Sequence, residues 1–362
     1  MARDHGRHIY GILEMEGDTR LERIVLGDSE GEVEAVRYRD IAAAVGRAPP
    51  TEYKALDKQT LVRCLMVHQR VLEQLLTHHT VIPVKFGTVV ENREMERILE
   101  TGYTDMRRAL DASRGQVEFE VVGTWEVGAV LAAIAGEPAI QKIKAEVEAM
   151  PALARLKGQI EAGKAVKERL DERKQEMQDQ LEGELRARLA GCADRLRVNE
   201  TMDDSMVLNV AVLVPADHET AFEAALHALD DSHANEINFR CIGPLPPYSF
   251  MTVEVRRADF RAIVRAKKAL GLRDEARLSE VREAYDRLAA QCHPDRRPDD
   301  ERAAQRFQEL TAAWQALAAY CDGEGDPSRT YSFRRKDVER FLRVAVVEPG
   351  SDLVESSSVA LG

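Results

Sequence analysis

The sequence predicts an α+β fold that is followed by an all-α helical hairpin. Short apolar and alternating runs bounded by Gly, Asp and Pro are typical of strands in the first two-thirds of the chain. Between them, apolar residues at helical spacing predict amphipathic helices. The 362 residues, 44% of them hydrophobic, suffice for two or three domains with cores of their own. From these patterns we predict six segments, residues 1–126, 127–193, 194–257, 258–322, 323–347 and 348–362.

Residues 1–126 are predicted to form an N-terminal α+β domain. The helix at 57–77 carries Leu61, Leu65 and Leu72 at helical spacing, and a second helix is expected at 95–110. Pro83 places its strand at a sheet edge or a bulge, because proline has no N–H for the strand ladder. The predicted strands are 9–13, 24–26, 33–36, 81–87 and 117–122.

Residues 127–193 are predicted to be a helical connector. Apolar residues from Val166 to Leu189 form a thin stripe within the charged run 164–188. Such a stripe is typical either of one helix edge packed within the molecule or of a short coiled coil. We favour the packed edge over the coiled coil, because the heptads are not sustained, and we favour a solvated charged face over a surface for a partner helix.

Residues 194–257 are predicted to form a C-terminal α+β domain. The run 206–214 is almost entirely apolar, as a central strand should be, and a short helix follows at 222–229. Further strands are expected at 237–242 and 250–255, with a proline-rich extended turn between them.

Residues 258–322 are predicted to fold as three helices. The first ends at Gly271, and Ser279 is the expected N-cap of the second. Pro294 and Pro298 end that second helix, and the third begins near Asp299. The last two helices therefore form an antiparallel hairpin with a proline-bounded tip.

Two further segments are predicted after the hairpin. Residues 323–347 are a coda, in helix or strand, that we expect to pack back onto the body of the protein. Residues 348–362 are rich in Ser, Gly and acids, a composition typical of a disordered tail.

Charge and cysteine content limit the classes of function. The net charge of −12 argues against general binding to nucleic acid or to an anionic membrane surface. The five scattered cysteines form neither a disulfide framework nor a metal-binding motif, and no apolar run approaches the ~18 residues of a membrane helix. These features predict a soluble cytoplasmic protein without nucleic acid or membrane partners.

The hairpin resembles the J domain of DnaJ-type co-chaperones. The resemblance is carried by residues 269–272, 282–289, the tripeptide His293-Pro294-Asp295, and 305–314. It implies that the hairpin tip and the basic face of the second helix contact a DnaK-type chaperone and stimulate its ATP hydrolysis. The implied chaperone-binding residues are Arg282, Tyr285, Arg287, His293, Pro294, Asp295 and Arg296.

The second helix departs from the J-domain pattern in its charge. Glu283 and Asp286 stand where J domains concentrate lysine and arginine. The alternative is that the hairpin is only a structural or docking module.

The preceding residues, about 8–255, resemble the GvpL/GvpF family of gas vesicle accessory proteins. The segments that carry this resemblance are 8–12, 81–89, 115–121, 208–214 and the closing Gly-Pro-Leu-Pro-Pro-Tyr-Ser-Phe at 243–250. The resemblance implies two ferredoxin-like α+β domains joined by helices. It also implies a role in gas vesicle assembly, with the hydrophobic shell subunit and other gas vesicle accessory proteins as partners. The chain departs from the family most around 137–174 and by continuing past Phe250.

Two functional hypotheses follow. The first is an assembly factor that binds the shell subunit and recruits a DnaK-type chaperone through the J domain. The second is a minor structural or nucleation component of the gas vesicle.

Two other groups of residues argue only weakly for a metal site or an enzyme. His68, His78 and His79 match no metal-ligand spacing, and adjacent Cys292 and His293 point different ways on a helix. The chain contains neither a phosphate-binding Gly-rich loop nor a Gly-x-Ser-x-Gly elbow. We therefore predict no enzymatic activity and no cofactor.

Overall fold

A computed structural model describes residues 6–15, 24–25, 32–48, 53–293, 300–321 and 329–348. The chain forms two compact units, residues 1–253 with 346–362, and residues 254–345. The predicted disordered tail lies outside the described residues, apart from Glu348. Within the part of the chain described, no helix is long and apolar enough to cross a membrane.

The first unit begins with a six-stranded sheet. Its strands are β1 (Arg7–Glu14), β2 (Ile24–Val25), β3 (Glu32–Tyr38), β4 (Ile41–Arg47), β5 (Val81–Pro83) and β6 (Val89–Val90). Their order is β2-β3-β4-β1-β5, with β6 beside β1, and each named pair is antiparallel. The helices α1 (Lys58–Leu76) and α2 (Asn92–Ser113) accompany this sheet, and Leu72 and Leu75 of α1 pack against Leu13 of β1.

Strand β4 was not predicted. Its sequence, Ile-Ala-Ala-Ala-Val-Gly-Arg, is rich in alanine, which has a weak intrinsic preference for strands. The six residues from Ile41 to Gly46 are nevertheless buried, because the strand lies between β3 and β1. Its place in the middle of the sheet is therefore decided by pairing with β1 and β3 rather than by the preferences of its own residues.

The first unit also contains a four-stranded sheet. Its elements are β7 (Gln116–Thr124), α3 (Val127–Gly136), α4 (Pro138–Ala149), α5 (Ala152–Leu189), β8 (Arg195–Val198), β9 (Met206–Pro215), α6 (Glu219–Ser232) and β10 (Asn238–Leu245). The strand order is β10-β7-β9-β8, and all neighbouring strands are antiparallel. This βαββαβ connectivity is ferredoxin-like, whereas in the first sheet four strands precede the first helix.

This topology corrects the predicted domain boundaries. We expected the strand at 117–122 to close the N-terminal domain 1–126, but β7 is a central strand of the second sheet. The connector 127–193 is therefore the first crossover of the ferredoxin-like unit, and it ends before β8, a strand that was not predicted. Long-range pairing of β7 with β9 and β10 determines this arrangement, and sequence proximity does not reveal it.

The prediction that the connector helix packs along one edge is confirmed. Leu170, Leu181, Leu185 and Leu189 of α5 are buried in the same core as Val210 and Val212 of β9. The charged residues of α5 form ion pairs at its surface, such as Lys167 with Asp171.

The second unit is mainly helical. Its elements are β11 (Thr252–Arg257, which begins in the first unit), α7 (Phe260–Leu270), β12 (Glu275–Arg277), α8 (Leu278–Cys292), α9 (Glu301–Tyr320), β13 (Thr330–Ser332), α10 (Arg335–Val338) and β14 (Leu342–Val347, which ends in the first unit). Strand β12 pairs with β13, and β11 pairs with β14. The predicted all-α hairpin, formed by α8 and α9, is confirmed.

Two predictions for this region are corrected. Ser279 is not the N-cap of α8, because the helix begins at the buried Leu278 and Glu280 Oε2 accepts a hydrogen bond from the backbone N–H of Arg277 at 2.7 Å. The coda does not pack on the body alone, since Phe333 and Val338 are buried in the core of α7, α8 and α9, while its strand β14 pairs with β11. Residues 323–328 of the coda lie outside the described part.

Candidate functional site

The end of α8 holds the first residue of the tripeptide in place. Helix α8 ends at Cys292, and His293 follows it with an extended backbone (φ −61°, ψ 132°). The His293 ring packs edge-to-face against Phe307 of α9, with ring centroids 5.1 Å apart. Cys292 is buried and its Sγ lies 3.5 Å from the carbonyl oxygen of Leu288, so its thiol faces its own helix.

Three of the seven predicted binding residues cannot be placed. Pro294, Asp295 and Arg296 lie within 294–299, outside the described residues, and their roles stay predictions. The structure brings the other four, Arg282, Tyr285, Arg287 and His293, onto α8 and its C-terminal end.

Tyr285 joins the two helices of the hairpin. Its ring stacks on Trp314 with centroids 5.8 Å apart, and its hydroxyl lies 3.3 Å from Thr311 Oγ1. Its side chain is half-buried. This geometry gives Tyr285 a structural role in holding α8 against α9, and leaves part of its ring accessible.

The exposed face of α8 is electrically balanced. The Arg282 guanidinium lies 5.1 Å from the centre of the Trp314 ring, and its Nε is 3.4 Å from Asp286 Oδ2. Arg287 is exposed, as is Glu283. Apart from Glu280, which pairs with Arg277 just before the helix, two cations and two anions share this face, and one of the cations is already engaged within the hairpin.

A buried histidine pair was missed by sequence reasoning, which considered His68 only as a metal ligand. His8 Nε2 lies 2.8 Å from His68 Nδ1, and Tyr53 Oη lies 2.9 Å from His8 Nδ1. Burial lowers the pKa of His8 to about 3, with the neighbouring His68 contributing, and burial lowers the pKa of His68 to about 4. Both rings are therefore neutral at physiological pH. Among the described residues, no group of three His, Cys, Asp or Glu could hold a metal ion.

A buried carboxyl joins the closing proline-rich segment to β7. Glu118 is fully buried, and it accepts hydrogen bonds from the Ser249 backbone N–H at 2.8 Å and from Ser249 Oγ at 2.7 Å. Burial raises the pKa of Glu118 to about 7 despite these two bonds. The only sequence signal for this contact is an acid within a strand of largely apolar residues.

These features define a two-part protein, an α+β unit with two antiparallel sheets and a J-type helical unit. The family model for the gas vesicle synthesis protein GvpL/GvpF matches residues 6–252, and the DnaJ domain model matches residues 268–320. The chain belongs to the GvpL/GvpF family and carries a DnaJ domain near its C-terminus.

Individual relatives agree with this assignment. The chain is 25% identical to gas vesicle protein F of Haloferax mediterranei over 68% of its own length and 94% of that protein. It is 24% identical to gas vesicle protein F2 of Halobacterium salinarum, over 61% and 80% of the two chains. The J region is 47% identical to DnaJ homolog subfamily B member 11 of Canis lupus familiaris, over 14% of each chain.

The solved structures show the same fold. The crystal structure of the gas vesicle protein GvpF from Anabaena superposes with a TM-score of 0.54 at 22% identity, covering 68% of this chain and 97% of that one. The crystal structure of GvpF from Microcystis aeruginosa superposes with a TM-score of 0.51 at 22% identity, covering 67% of this chain and 98% of that one.

Proposed function

We propose that this protein is a gas vesicle assembly factor that binds the hydrophobic shell subunit and recruits a DnaK-type chaperone through its J domain. One observation carries the proposal: a J-type hairpin, with His293 held against Phe307 at its tip, belongs to the same chain as a GvpL/GvpF-family unit. Other gas vesicle accessory proteins are expected partners. We place the protein in the cytoplasm, associated with gas vesicles, without catalytic activity of its own and without nucleic acid or membrane partners.

The tip supports chaperone contact through charge and rigidity. In this proposal Asp295 accepts a charge-assisted hydrogen bond from an arginine of the chaperone, an interaction of roughly 1.5–3 kcal/mol. Pro294 stiffens the tip and lowers the entropy lost on binding. In this proposal Arg282, Arg287 and Arg296 supply electrostatic steering and rim contacts, and Tyr285 holds α8 against α9.

The shell-binding part of the proposal has physical support on α5. Leu153, Leu156 and Ile160 lie three and four residues apart on this helix and are 101%, 68% and 55% exposed. Side chains at this spacing share one helix face. Such a face suits an apolar partner that must be kept from aggregating before it joins the vesicle wall.

The first experiment measures single-turnover ATP hydrolysis by the host's DnaK-type chaperone with the full-length protein. The unsubstituted protein is expected to accelerate hydrolysis and the His293→Gln variant is not. His78→Gln serves as the matched control, because it makes the same substitution at an exposed position of the first unit. If the unsubstituted protein leaves the rate unchanged, even with shell subunit present, chaperone recruitment is rejected.

The second candidate function is a minor structural or nucleation component of the vesicle. The balanced charge on the exposed face of α8 favours it, because a weakly charged face gives little electrostatic steering toward a partner. Retention of the protein on purified vesicles after a urea wash supports this candidate, and complete release argues against it.

A further inference from the structure

Helix α7 carries an unneutralised row of cations. Arg261, Arg265 and Lys268 are exposed and lie at positions i, i+4 and i+7, so they share one side of the helix. The helix contains no acidic residue, and these three side chains form no ion pair with any described residue. Lys267, by contrast, is paired with Asp274. The row is therefore available to an acidic partner.

The second unit as a whole differs in charge from the rest of the chain. Lys and Arg outnumber Asp and Glu within residues 254–345, whereas the whole chain has 51 basic and 63 acidic residues. On α8, Glu283 and Asp286 offset Arg282 and Arg287. Helix α7 therefore carries an excess of positive charge, which α8 does not.

The C-terminal end of α7 contacts the same turns of α9 that pack against His293. Arg306 Nη2 donates a hydrogen bond of 3.4 Å to the carbonyl oxygen of Ala269, next to Lys268. The residue after Arg306 is Phe307, which packs against His293. A partner that contacts His293 would therefore reach Lys268 across the first turns of α9.

An open groove of about 450 Å³ runs between α7 and α9 beside these cations. Its lining is mostly small and apolar, and includes Ala266, Ala269, Ala313 and Ala316, with Arg265 and Glu309 among the other lining residues. Alanine side chains allow a partner backbone to approach closely, and the adjacent cations complement negative charge.

We propose that an acidic segment of the DnaK-type chaperone docks along α7, with Arg265 and Lys268 as its main electrostatic contacts. This inference rests on the proposed function and adds to it the surface that the chaperone recognises. Charge complementarity favours an acidic occupant, because Arg261, Arg265 and Lys268 form no ion pair with a described residue, whereas Arg282 of α8 is paired with Asp286. The expected contact extends from the His293 tip over α9 to the exposed side of α7.

The test titrates the chaperone with full-length protein in single-turnover ATP hydrolysis at low salt. Three double variants each remove two positive charges: Arg265→Gln/Lys268→Gln on α7, Arg282→Gln/Arg287→Gln on α8, and Lys142→Gln/Lys144→Gln on exposed positions of α4. We expect the α7 variant to raise the concentration for half-maximal stimulation by about tenfold, the α8 variant by less than about threefold, and the α4 variant by less than about twofold. Added salt should reduce the difference between the α7 variant and the unsubstituted protein.

The possible outcomes separate the two proposals. A loss for the α8 variant equal to or larger than that for the α7 variant overturns this inference and leaves chaperone recruitment intact. If the α7 variant raises the concentration for half-maximal stimulation by threefold or less, this inference is likewise overturned and chaperone recruitment remains intact. Absence of both stimulation and chaperone binding by the unsubstituted protein overturns both proposals. The thermal unfolding midpoint of each variant is measured to distinguish a loss of stimulation from a loss of folding.

Discussion

The His293 ring packs edge-to-face against Phe307, and this contact joins the end of α8 to the first turns of α9. An aromatic pair of this geometry contributes about 0.5–1.5 kcal/mol beyond the burial of its area. The contact restrains the residue that begins the proline-bounded tip. The orientation of His293 therefore depends in part on a side chain that lies 14 residues away in the sequence.

Phe307→Ala should weaken chaperone stimulation without removing His293. Loss of the ring removes one restraint on His293, and a binding residue that must be ordered on binding loses affinity. We expect a three- to tenfold rise in the protein concentration needed for half-maximal ATP hydrolysis, consistent with about 0.6–1.4 kcal/mol. Phe307→Tyr, which keeps the ring, is the matched control and should behave as the unsubstituted protein. Equal stimulation by Phe307→Ala and Phe307→Tyr would rule out this positioning role.

Glu118 should make the first unit less stable as the pH rises toward neutrality. Its pKa is raised from 4.5 to about 7 in the folded protein, so between these values the folded state binds more protons than the unfolded state. The contribution of Glu118 to the free energy of unfolding should therefore fall as the pH rises from about 4.5 to about 7, whereas the contribution of the His8–His68 pair rises over most of this range. Urea unfolding across this range measures the slope, and Glu118→Gln should remove this contribution. If Glu118→Gln leaves the slope of the free energy of unfolding against pH unchanged, the raised pKa of Glu118 is contradicted.

The Glu118–Ser249 contact is expected to stabilise the closing proline-rich segment. Ser249→Ala removes the hydroxyl donor while the backbone N–H bond remains. We expect the free energy of unfolding to fall by about 1–3 kcal/mol at pH 7, because the buried carboxyl loses a hydrogen-bond partner. Ser205→Ala is the control, since this serine lies in an exposed turn where its hydroxyl bonds Asp203. Equal losses for the two variants would contradict the assigned role.

The His8–His68 pair should make the first unit sensitive to acid. Both pKa values lie below the ordinary 6.5, so below that pH the unfolded state binds more protons than the folded state. The resulting loss of stability should develop as the pH falls from about 6.5 to about 4. NMR titration should find neither ring protonated at pH 5.5. A histidine that titrates near 6.5 and is assigned to either position would contradict a neutral buried pair.

The apolar face of α5 should affect shell-subunit binding more than the stability of the protein. We expect Leu153→Ser/Leu156→Ser/Ile160→Ser to reduce the amount of shell subunit kept soluble on co-expression by at least about threefold. The thermal unfolding midpoint should change little, because exposed side chains contribute little to folding. Val62→Ser/Leu65→Ser/Met66→Ser removes three exposed apolar side chains from α1 and is the matched control. A larger loss for the α1 variant would place shell binding elsewhere than on α5.

The helical hairpin could be predicted from the sequence because its signals are local. Periodic apolar residues, the glycine that ends α7 with φ +68° and the prolines after α8 each act within a few residues. The balance of charge on the exposed α8 face could also be read from the sequence, since Glu283 and Asp286 lie one and four residues after Arg282. Strand β4 was missed for the opposite reason: its alanines have no strong local preference, and β1 and β3 select its conformation.

The sequence by itself determined the two types of fold, the J-type hairpin and the family to which the first unit belongs. Helix periodicity and turn residues act over a few positions, and the family's motifs occur in their usual order and can be read directly from the sequence. Only the tertiary structure decided that β7 lies in the second sheet, that His8 meets His68 and that Glu118 is bonded by Ser249. These contacts join residues 60 or more positions apart, and burial then sets their protonation. Neither the pairing partner nor the degree of burial is encoded in any short stretch of the chain.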